Sequence, residues 1–552
     1  MSHLLAISIG PVQEFIAAAR RTRDLWFGSY LLSEISRTVA QAVEAESRKG
    51  KLIFPAKSNA GNVANVILAE LPGGDPKEIA AAAKEVAKSR WREFADDAFR
   101  QINGFIRTDI WDDQVDDVIE FYAAWVARTE DYREDRRKVM RLLAGRKNCR
   151  DFQSAKGRAG VPKSSLDGRR ETVFKDGDRE AWTKKLRLLP GEQLDVVGVT
   201  KRLGKERGES VPRYPSVSRV AAETWLSGAR KRNSNDLKKL NDACKKLVVK
   251  GLNTVREENY QYFPYEGTVI FKDRHPDLQN ELGLANEDLI ELKAALKSIG
   301  VEPNPYLAVL VADGDRIGAA IAQIDSPDKH RDFSTALDEF ADEARKIVAK
   351  CNGVLVYAGG DDVLAFLPID QCLKCSRDLH EDFGKRLDGY GSPTLSVGIA
   401  IGHFMENLED LLEYGRTAEK AAKKPDRDGL AVHLHKRGGS PIRIRAKWGE
   451  NPDDRLIHFA ELMNGKIIPT KLPYELRSMA KLYENWTKSA EAIQQDLYRL
   501  IAKKSSIGEN TVREVLKNSI SDMDSNKLLS FAEELLVSKQ IAVAMKQAGG
   551  EA

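Results

Sequence analysis

The chain has 552 residues, of which 42% are hydrophobic and 31% are charged. This composition is typical of a globular protein with several packed cores, and it excludes a disordered or fibrous chain. The 87 Lys and Arg residues nearly balance the 83 Asp and Glu residues, so a uniformly basic surface of the kind that coats nucleic acid is also excluded.

Nothing in the sequence has the pattern of a signal peptide or a membrane span. The opening residues lack a charged n-region and a small-residue cleavage site. Apolar runs such as 306–312 have the length of a strand, far below the roughly 18 residues of a membrane helix. The five cysteines are odd in number and widely spaced, which favours a reducing compartment. We therefore expect a cytoplasmic protein that does not associate with membranes.

The first 125 residues alternate between strand and helix patterns. Strand-like runs occupy 3–9, 51–54 and 62–68, and helical patterns occupy 30–46 and about 76–99. Strands that alternate with helices predict a mixed domain of sheet and helix over 1–125.

Residues 126–300 predict a basic, mainly helical middle domain. Between Arg133 and Lys175 there are 14 Lys and Arg against 5 Asp and Glu, a net charge of +9. Gly and Ser interrupt the second half of this segment, which we expect to form a loop. Two interpretations stay open: a solvated surface, or a contact with RNA phosphates or a neighbouring subunit. The second interpretation assigns the contact to four cations: Arg146, Lys147, Arg150 and Lys163.

The clearest pattern lies in 301–445. A strand at 306–312, a helix at 333–351, a hairpin of 354–357 and 363–367, a helix at 370–387 and a strand at 394–401 follow one another, with a further helix at 407–424 and strand at 430–434. Strand, helix, hairpin, helix and strand in this order predict a ferredoxin-like sheet. Residues 446–552 predict a helical C-terminal domain, so the expected fold class is α+β.

The tip of the predicted hairpin carries two carboxylates. Gly359 and Gly360 precede Asp361 and Asp362, and the glycines allow a sharp turn and the close approach of a ligand. Asp313 ends the neighbouring buried strand and is expected beside the tip. Converging carboxylates suit Mg²⁺ or Mn²⁺ bridged to substrate phosphates. The alternative is a simple hairpin turn, since Gly and Asp are favoured there in any case.

Two cations lie near the end of the helix at 407–424. Lys423 and Arg427 are four residues apart, a spacing at which both can reach the triphosphate of a nucleotide. Equally, the two side chains can simply complement the helix dipole in solvent.

Eight sequence motifs together point to a known family. They occupy 7–16, 23–33, 161–168, 214–218, 311–315, 359–362, 395–400 and 422–432. In these motifs the chain resembles the polymerase/cyclase-like large subunit of type III CRISPR effector complexes, the CRISPR-associated protein ten family, and most closely its Cmr-type, III-B form.

The resemblance implies two palm domains, of which the first (1–125) lacks a carboxylate tip and the second (301–445) carries it. It further implies a nucleotidyltransferase that converts ATP to cyclic oligoadenylate with two Mg²⁺ or Mn²⁺ ions. Pairing of target RNA with the guide CRISPR RNA would switch this activity on, in a complex with other Cmr-type subunits. The implied metal-binding set is Asp313, Gly314, Asp361 and Asp362, of which the three aspartates are catalytic, and the implied nucleotide contacts are Gly359, Gly360, Asp315, Lys423 and Arg427.

Departures from the family narrow the expected activity. No His-Asp dipeptide occurs among the eight histidines, so we expect no HD nuclease. The middle domain lacks a Cys-x-x-Cys pair, and Cys372 and Cys375 fall within a predicted helix, so we expect no zinc. Asp426 and Asp428 stand where the family commonly has Gly and Asn.

Two alternatives to the enzyme remain. One is a catalytically silent scaffold that binds guide RNA, target RNA and neighbouring subunits. The other is a free-standing dinucleotide cyclase of the GGDEF type, which leaves the first 300 residues without a role.

Overall fold

The structure is a computed structural model that describes residues 2–46, 51–58, 63–149, 157–177, 183, 185–205, 214–255, 258–484, 486, 490–504 and 523–549. Two separate sheets with helices packed on them form the centre of the chain. The predicted α+β fold class is therefore confirmed.

The first sheet has four strands: β1 (His3–Gly10), β2 (Lys51–Phe54), β3 (Val66–Leu71) and β4 (Glu120–Ala127). They lie in the order β2-β3-β1-β4, and each strand is antiparallel to its neighbour. The helices of this domain are α1 (Gln13–Ala17), α2 (Thr22–Glu46), α3 (Pro76–Ile102) and α4 (Thr108–Asp116). This is the ferredoxin-like order. The last strand was not among the predicted strands, and it continues two residues past the expected boundary at 125.

The middle of the chain is mainly helical in its described parts. Its helices are α5 (Tyr132–Asn148), α6 (Val196–Leu203), α7 (Val217–Arg232), α8 (Ser234–Val248), α9 (His275–Leu282) and α10 (Ile290–Ile299). The first of these begins where the Asp131 side chain accepts a hydrogen bond from the Glu134 backbone, a standard helix N-cap. It packs against β1 and β4.

The second sheet has six strands: β5 (Tyr306–Gly314), β6 (Val354–Gly359), β7 (Asp362–Leu367), β8 (Leu395–His403), β9 (Gly429–Leu434) and β10 (Ile442–Lys447). Their order is β10-β9-β8-β5-β7-β6. The helices are α11 (Ile317–Gln323), α12 (Pro327–Lys350), α13 (Ile369–Arg386) and α14 (Leu408–Ala422). Strands β5 to β8 reproduce the predicted ferredoxin-like sheet. The unpredicted β10 extends the sheet and crosses the expected domain boundary at 445.

The two ferredoxin-like units cover each other's edge strands. The long helix α12 of the second unit packs on β2, and α2 of the first unit packs on β6. Arg331 donates from Nε to the Leu52 carbonyl at 2.8 Å, and the Tyr132 hydroxyl lies 2.7 Å from His330 Nδ1. Covering an edge strand removes its unpaired backbone groups from solvent, so each unit completes the other.

The C-terminal part contributes helices α15 (Pro452–Asn464), α16 (Leu472–Leu482), α17 (Ala490–Lys504) and α18 (Ser525–Gly549). Helix α18 packs against α15, α16 and α7. Gln547 ties this helix to the start of the second sheet, because it donates to the Glu302 carbonyl and accepts from the Asn304 backbone. None of the helices within the described residues is long and apolar enough to cross a membrane.

Helix α14 approaches β8 so closely that only glycine fits at position 398. A Cβ atom there would lie 2.0 Å from the Glu419 backbone nitrogen. We expect Gly398→Ala to lower the midpoint of thermal unfolding, because the helix must shift at a cost of about 1–3 kcal/mol. The matched control is Gly384→Ala in α13, where a Cβ meets nothing within 4 Å and removing a helical glycine should raise the midpoint. Equal midpoints for the two variants would contradict this packing.

Candidate active site

The Gly-Gly-Asp-Asp segment forms the tip of a hairpin, as predicted. Strand β6 ends at Gly359, which pairs with Asp362 at the start of β7. Gly360 has φ +64°, a left-handed conformation that glycine adopts without a steric penalty. Gly360 and Asp361 therefore make the turn, with Asp362 as the first strand residue.

Asp313 lies level with this tip. Strands β5 and β7 pair in a register that ends with Ala312 opposite Val363, so the next residue of β5 stands beside Asp362. A Cβ on Gly314 would lie 2.7 Å from the Asp361 Cβ, which shows how closely the β5 backbone approaches the turn. The fold thus brings the three predicted carboxylates to one end of the sheet.

The tip has an excess of negative charge. Burial, and next the charge of Asp362, raise the pKa of Asp361 to about 7. Asp362 is exposed as a residue, yet desolvation of its carboxyl group by the surrounding protein atoms raises the pKa of Asp362 to about 6. Burial, and next Asp362, raise the pKa of Glu419 to about 7. Carboxyl groups held in this way are a common feature of functional sites.

Lys423 supplies the counter-charge. It follows the last residue of α14, and its ammonium group contacts the Asp313 carboxylate and lies 3.0 Å from Glu419 Oε1. Burial, and next the nearby Arg427, lower the pKa of Lys423. The side chain was expected to face a triphosphate, and in this structure it is bound to a carboxylate of the same site.

The expected metal ligands do not form a ready-made cluster. Across the described residues, no three His, Cys, Asp or Glu side chains form a group that could hold a metal ion. Asp313 is instead paired with the ammonium of Lys423. The donor chemistry fits a divalent cation, since all the expected donors are oxygens, from three carboxylates and the Gly314 carbonyl. A cationic group, the ammonium of Lys423, already lies beside Asp313.

Asp315 does not face the open site, which corrects its expected role as a nucleotide contact. Its side chain is 1% exposed. One carboxylate oxygen, Oδ2, accepts three hydrogen bonds, from Thr394 Oγ1 at 2.8 Å, Ser396 Oγ at 2.8 Å and the Asp428 backbone at 3.0 Å. The other oxygen, Oδ1, lies 4.0 Å from Arg427 Nε. The carboxylate therefore positions the elements around the site from within.

The segment 423–428 is a tight loop rather than a continuation of the helix. Arg427 has φ +62° and Asp428 has φ +49°, conformations that side chains other than glycine adopt only when the surroundings impose them. Arg445 on β10 donates to the Arg427 carbonyl at 2.8 Å and pairs with Asp426. Arg427 was expected near the C-terminal end of the helix at 407–424, and it lies in this loop, beyond the last helical residue Ala422, with its side chain half exposed.

The four cations of the basic segment have different surroundings. Arg146 and Lys147 are exposed in the last turn of α5, whereas Arg150 lies outside the described residues. Lys163 Nζ pairs with Glu171 Oε1 at 2.5 Å. Other cations of the segment also form ion pairs: Arg158 with Asp109 and Asp113, Arg169 with Glu14, and Arg170 with Asp117. Part of the positive charge is therefore neutralised within the chain.

Sequence reasoning missed several residues of this site. Tyr357 lies beneath the tip, where a Cβ on Gly359 would be 2.2 Å from its hydroxyl oxygen. Ser396 is fully buried in β8, a strand whose nine residues are all buried. A lone serine in such an apolar run is the one signal that could have indicated a buried polar partner.

Two regions of this chain match models of known protein families, and most of the chain aligns with a curated relative. The family model described as Cas10/Cmr2, second palm domain, matches residues 306–431, and that described as CRISPR-associated protein Cmr2, N-terminal, matches residues 4–96. A curated relative, the CRISPR system Cmr subunit Cmr2 of Pyrococcus furiosus, is 26% identical over 550 residues. That alignment covers 79% of this chain and 62% of the relative, so the chain spans less than two thirds of the length of that protein.

Solved structures share the fold at low sequence identity. The type III-B Cmr-beta complex in its apo state contains a chain with a TM-score of 0.66 and 13% identity, over 91% of this chain and 77% of that one. Cmr-beta bound to cognate target RNA gives 0.64 and 14%, over 92% and 79%. The apo Csm1-Csm4 cassette gives 0.51 and 14%, over 99% and 70%.

The matched regions coincide with the two ferredoxin-like units described above. The N-terminal match contains β1, β2 and β3, and the second-palm match contains β5 to β8 with the Gly-Gly-Asp-Asp tip. Because the Cmr2 N-terminal and Cas10/Cmr2 second-palm models match in this order and a Cmr2 relative aligns over 79% of the chain, the chain belongs to the Cas10/Cmr2 family.

Proposed function

We propose that this chain is the large subunit of a type III-B CRISPR RNA-guided effector complex. Its second palm would synthesise cyclic oligoadenylate, or a related adenylate, from ATP when target RNA pairs with the guide RNA. The observation that carries this proposal is the end of the second sheet, where Asp313, Asp361 and Asp362 lie together with Lys423. Two solved neighbours support it: a Cmr-beta complex bound to cognate target RNA, and a Csm1-Csm4 cassette in complex with cA4.

The carboxylates have the character that metal-assisted nucleotidyl transfer requires. Asp313, Asp361 and Asp362, with the Gly314 carbonyl oxygen, would hold Mg²⁺ or Mn²⁺. Such ions, when bound, make the 3′-hydroxyl of one ATP a better nucleophile and neutralise charge at the α-phosphate of the next, from which pyrophosphate leaves. Gly360, with open space around its Cα, leaves room for the phosphates above the turn.

Lys423 and Arg427 would bind the triphosphate. Lys423 is held by Asp313 in this structure, so it must leave that carboxylate before it can contact a phosphate. Arg427 is half exposed beside it. Asp315 acts as a positioning residue for both, because it hydrogen-bonds the backbone of the loop that carries them.

A second candidate is the silent scaffold. The ammonium of Lys423 occupies the position beside Asp313, which favours a palm that retains the fold without turnover. In that case the chain contributes contacts to guide RNA, target RNA and neighbouring subunits only.

The direct test uses the assembled complex with guide RNA, target RNA and labelled ATP, in Mg²⁺ and in Mn²⁺. We expect Asp361→Asn/Asp362→Asn to reduce product at least ~100-fold, because the site loses two of its carboxylates, while assembly and guide RNA binding stay intact. The matched control is Glu339→Gln/Asp342→Asn on the exposed face of α12, which should retain wild-type turnover. A wild-type complex that makes no product in either metal would favour the scaffold.

The role of Asp315 predicts a loss of substrate affinity and of stability. In Asp315→Asn an amide NH₂ group replaces one of the two carboxylate oxygens, of which one accepts hydrogen bonds and the other faces Arg427. We expect this change to lower the free energy of unfolding by about 1–3 kcal/mol. We expect a lower midpoint of thermal unfolding and a KM for ATP raised more than kcat is lowered. Ser396→Ala removes a single donor and should change both quantities in the same direction by less. Unchanged KM in Asp315→Asn would exclude the positioning role.

The raised pKa values predict how stability depends on pH. Asp361 has a pKa of about 7 in the folded protein against 3.8 ordinarily, and Asp362 about 6. Between the ordinary value of 3.8 and these raised values the folded state holds protons that the unfolded chain has released, so stability is lost as the pH rises from about 4 to about 7. Asp361→Asn, which stays neutral, should therefore raise the unfolding midpoint at pH 8 in EDTA and leave it nearly unchanged at pH 4. Equal shifts at both pH values would show that the Asp361 carboxyl group carries no such cost.

A further inference from the structure

Parts of four sequence motifs that the proposed active site does not use converge on a single cleft. Residues of the segments 13–23, 165–167 and 214–218 line a cavity of about 1330 Å³ together with Phe404 to Glu409, which follow β8. None of Asp313, Asp361 and Asp362 is among the lining residues. The cleft is therefore separate from the carboxylate site, and it joins the first palm, the middle domain and the second palm.

The lining of this cleft is basic. It contains nine Lys and Arg side chains against six Asp and Glu side chains. Arg20 donates to the Ser165 carbonyl at 3.1 Å, Arg21 donates to the Arg187 carbonyl, and Arg187 donates to Asn253 Oδ1. Within the described residues, none of these three arginines has a carboxylate within 4.0 Å, so neutral acceptors orient their guanidinium groups, and the carboxylates that act on Arg21, Asp24 and Glu281, do so from a greater distance.

Arg23 and Arg202 also line the cleft and add to its positive charge. Arg23 donates to the Gly204 carbonyl at 2.6 Å and also contacts the Arg202 carbonyl. Burial, together with the charges of Arg202, Arg187 and Arg21, lowers the pKa of Arg23 to about 10 against the opposing effect of Asp24. Like charges that a fold holds together in this way cost free energy, and a bound anion would offset that cost.

Part of the remaining lining is apolar or aromatic. Tyr214 lines the cleft and stacks on Trp26, with ring centroids 5.5 Å apart and an interplanar angle of 21°. Leu189, also in the lining, is 55% exposed. Guanidinium groups beside apolar and aromatic surface are the usual combination in sites that bind single-stranded nucleic acid. The volume exceeds the roughly 300–1,000 Å³ of a small-molecule site, which favours a ligand longer than one nucleotide.

We propose that this cleft binds a chain of more than one nucleoside phosphate, with Arg20, Arg21 and Arg187 at its phosphates. The ligand has two possible sources, a single strand of RNA or a free oligonucleotide. The proposal does not depend on the activity of the carboxylate site.

The test measures binding of 5′-fluorescein-labelled hexa-adenylate RNA to the full chain by fluorescence anisotropy. The variant is Arg20→Gln/Arg187→Gln, because both side chains are exposed and each donates to a single neutral acceptor. We expect affinity to fall at least tenfold at 100 mM salt. The slope of log affinity against log salt should become shallower by about 1.4, roughly 0.7 for each lost contact with a single strand.

Two controls isolate the cleft. Arg92→Gln/Arg100→Gln removes two exposed arginines from α3, outside the cleft, and should leave affinity within twofold of wild type. Asp361→Asn/Asp362→Asn should also bind the probe normally, which distinguishes a failure of this proposal from a failure of the active-site proposal.

Competition identifies the source of the ligand. If unlabelled 5′-triphosphorylated tri-adenylate displaces the probe as well as a 20-nucleotide RNA does, the cleft takes a free oligonucleotide; if only the long RNA competes, it takes a strand. If Arg20→Gln/Arg187→Gln unfolds at a lower temperature, crosslinking of 4-thiouridine-substituted RNA to the wild-type chain replaces it, with crosslinks expected in 13–23 and 185–189. Probe affinity equal to that of the α3 control, or crosslinks confined to other segments, would overturn the proposal.

Discussion

The buried carboxylate of Asp315 is the interaction on which the candidate active site depends. A charge with 1% exposure is costly unless hydrogen bonds replace the lost water, and here three donors meet one of its oxygens. Two donors belong to the start of β8, and the third is the backbone of the loop that follows α14. Since that loop carries Lys423 and Arg427, one buried group determines where both cations stand relative to the hairpin tip.

The tip is a region where the fold accepts an electrostatic cost. Asp361, Asp362 and Glu419 all have raised pKa values, and the contact of Lys423 with Asp313 and Glu419 introduces positive charge directly. Repulsion between the neighbouring carboxylates destabilises the site, and a cation or a cationic side chain that binds there reduces this repulsion. The same principle applies with opposite sign in the arginine-lined cleft, so the proposed roles of the two sites are complementary, one for cations and the other for phosphates.

The two palms have the same strand order, but different residues lie at the ends of their strands. In the second palm, β5 leads into Asp313-Gly314 and the hairpin tip carries two carboxylates, whereas in the first palm β1 leads into Gly10-Pro11. The first palm instead contributes α2, which covers the edge strand β6, and the arginines at 20–23 that line the cleft. In the functions proposed here, a shared fold would support chemistry in one unit and contacts in the other, because function resides in the residues at the strand ends.

Local pattern alone was enough to predict the second palm and its carboxylate tip. The conformations of the apolar run at 306–312 and of the Gly-Gly turn before Asp361 depend on residues that are neighbours in the sequence. The resemblance to the family added Lys423 to the same site. The strand β10, the loop conformation of Arg427 and the burial of Asp315 were not predicted. These depend on partners far along the chain, such as Asp428, 113 residues from Asp315, and Arg187, 166 residues from Arg21. Periodicity describes which face of an element is apolar, but only the packed structure decides which distant charge or donor that element meets.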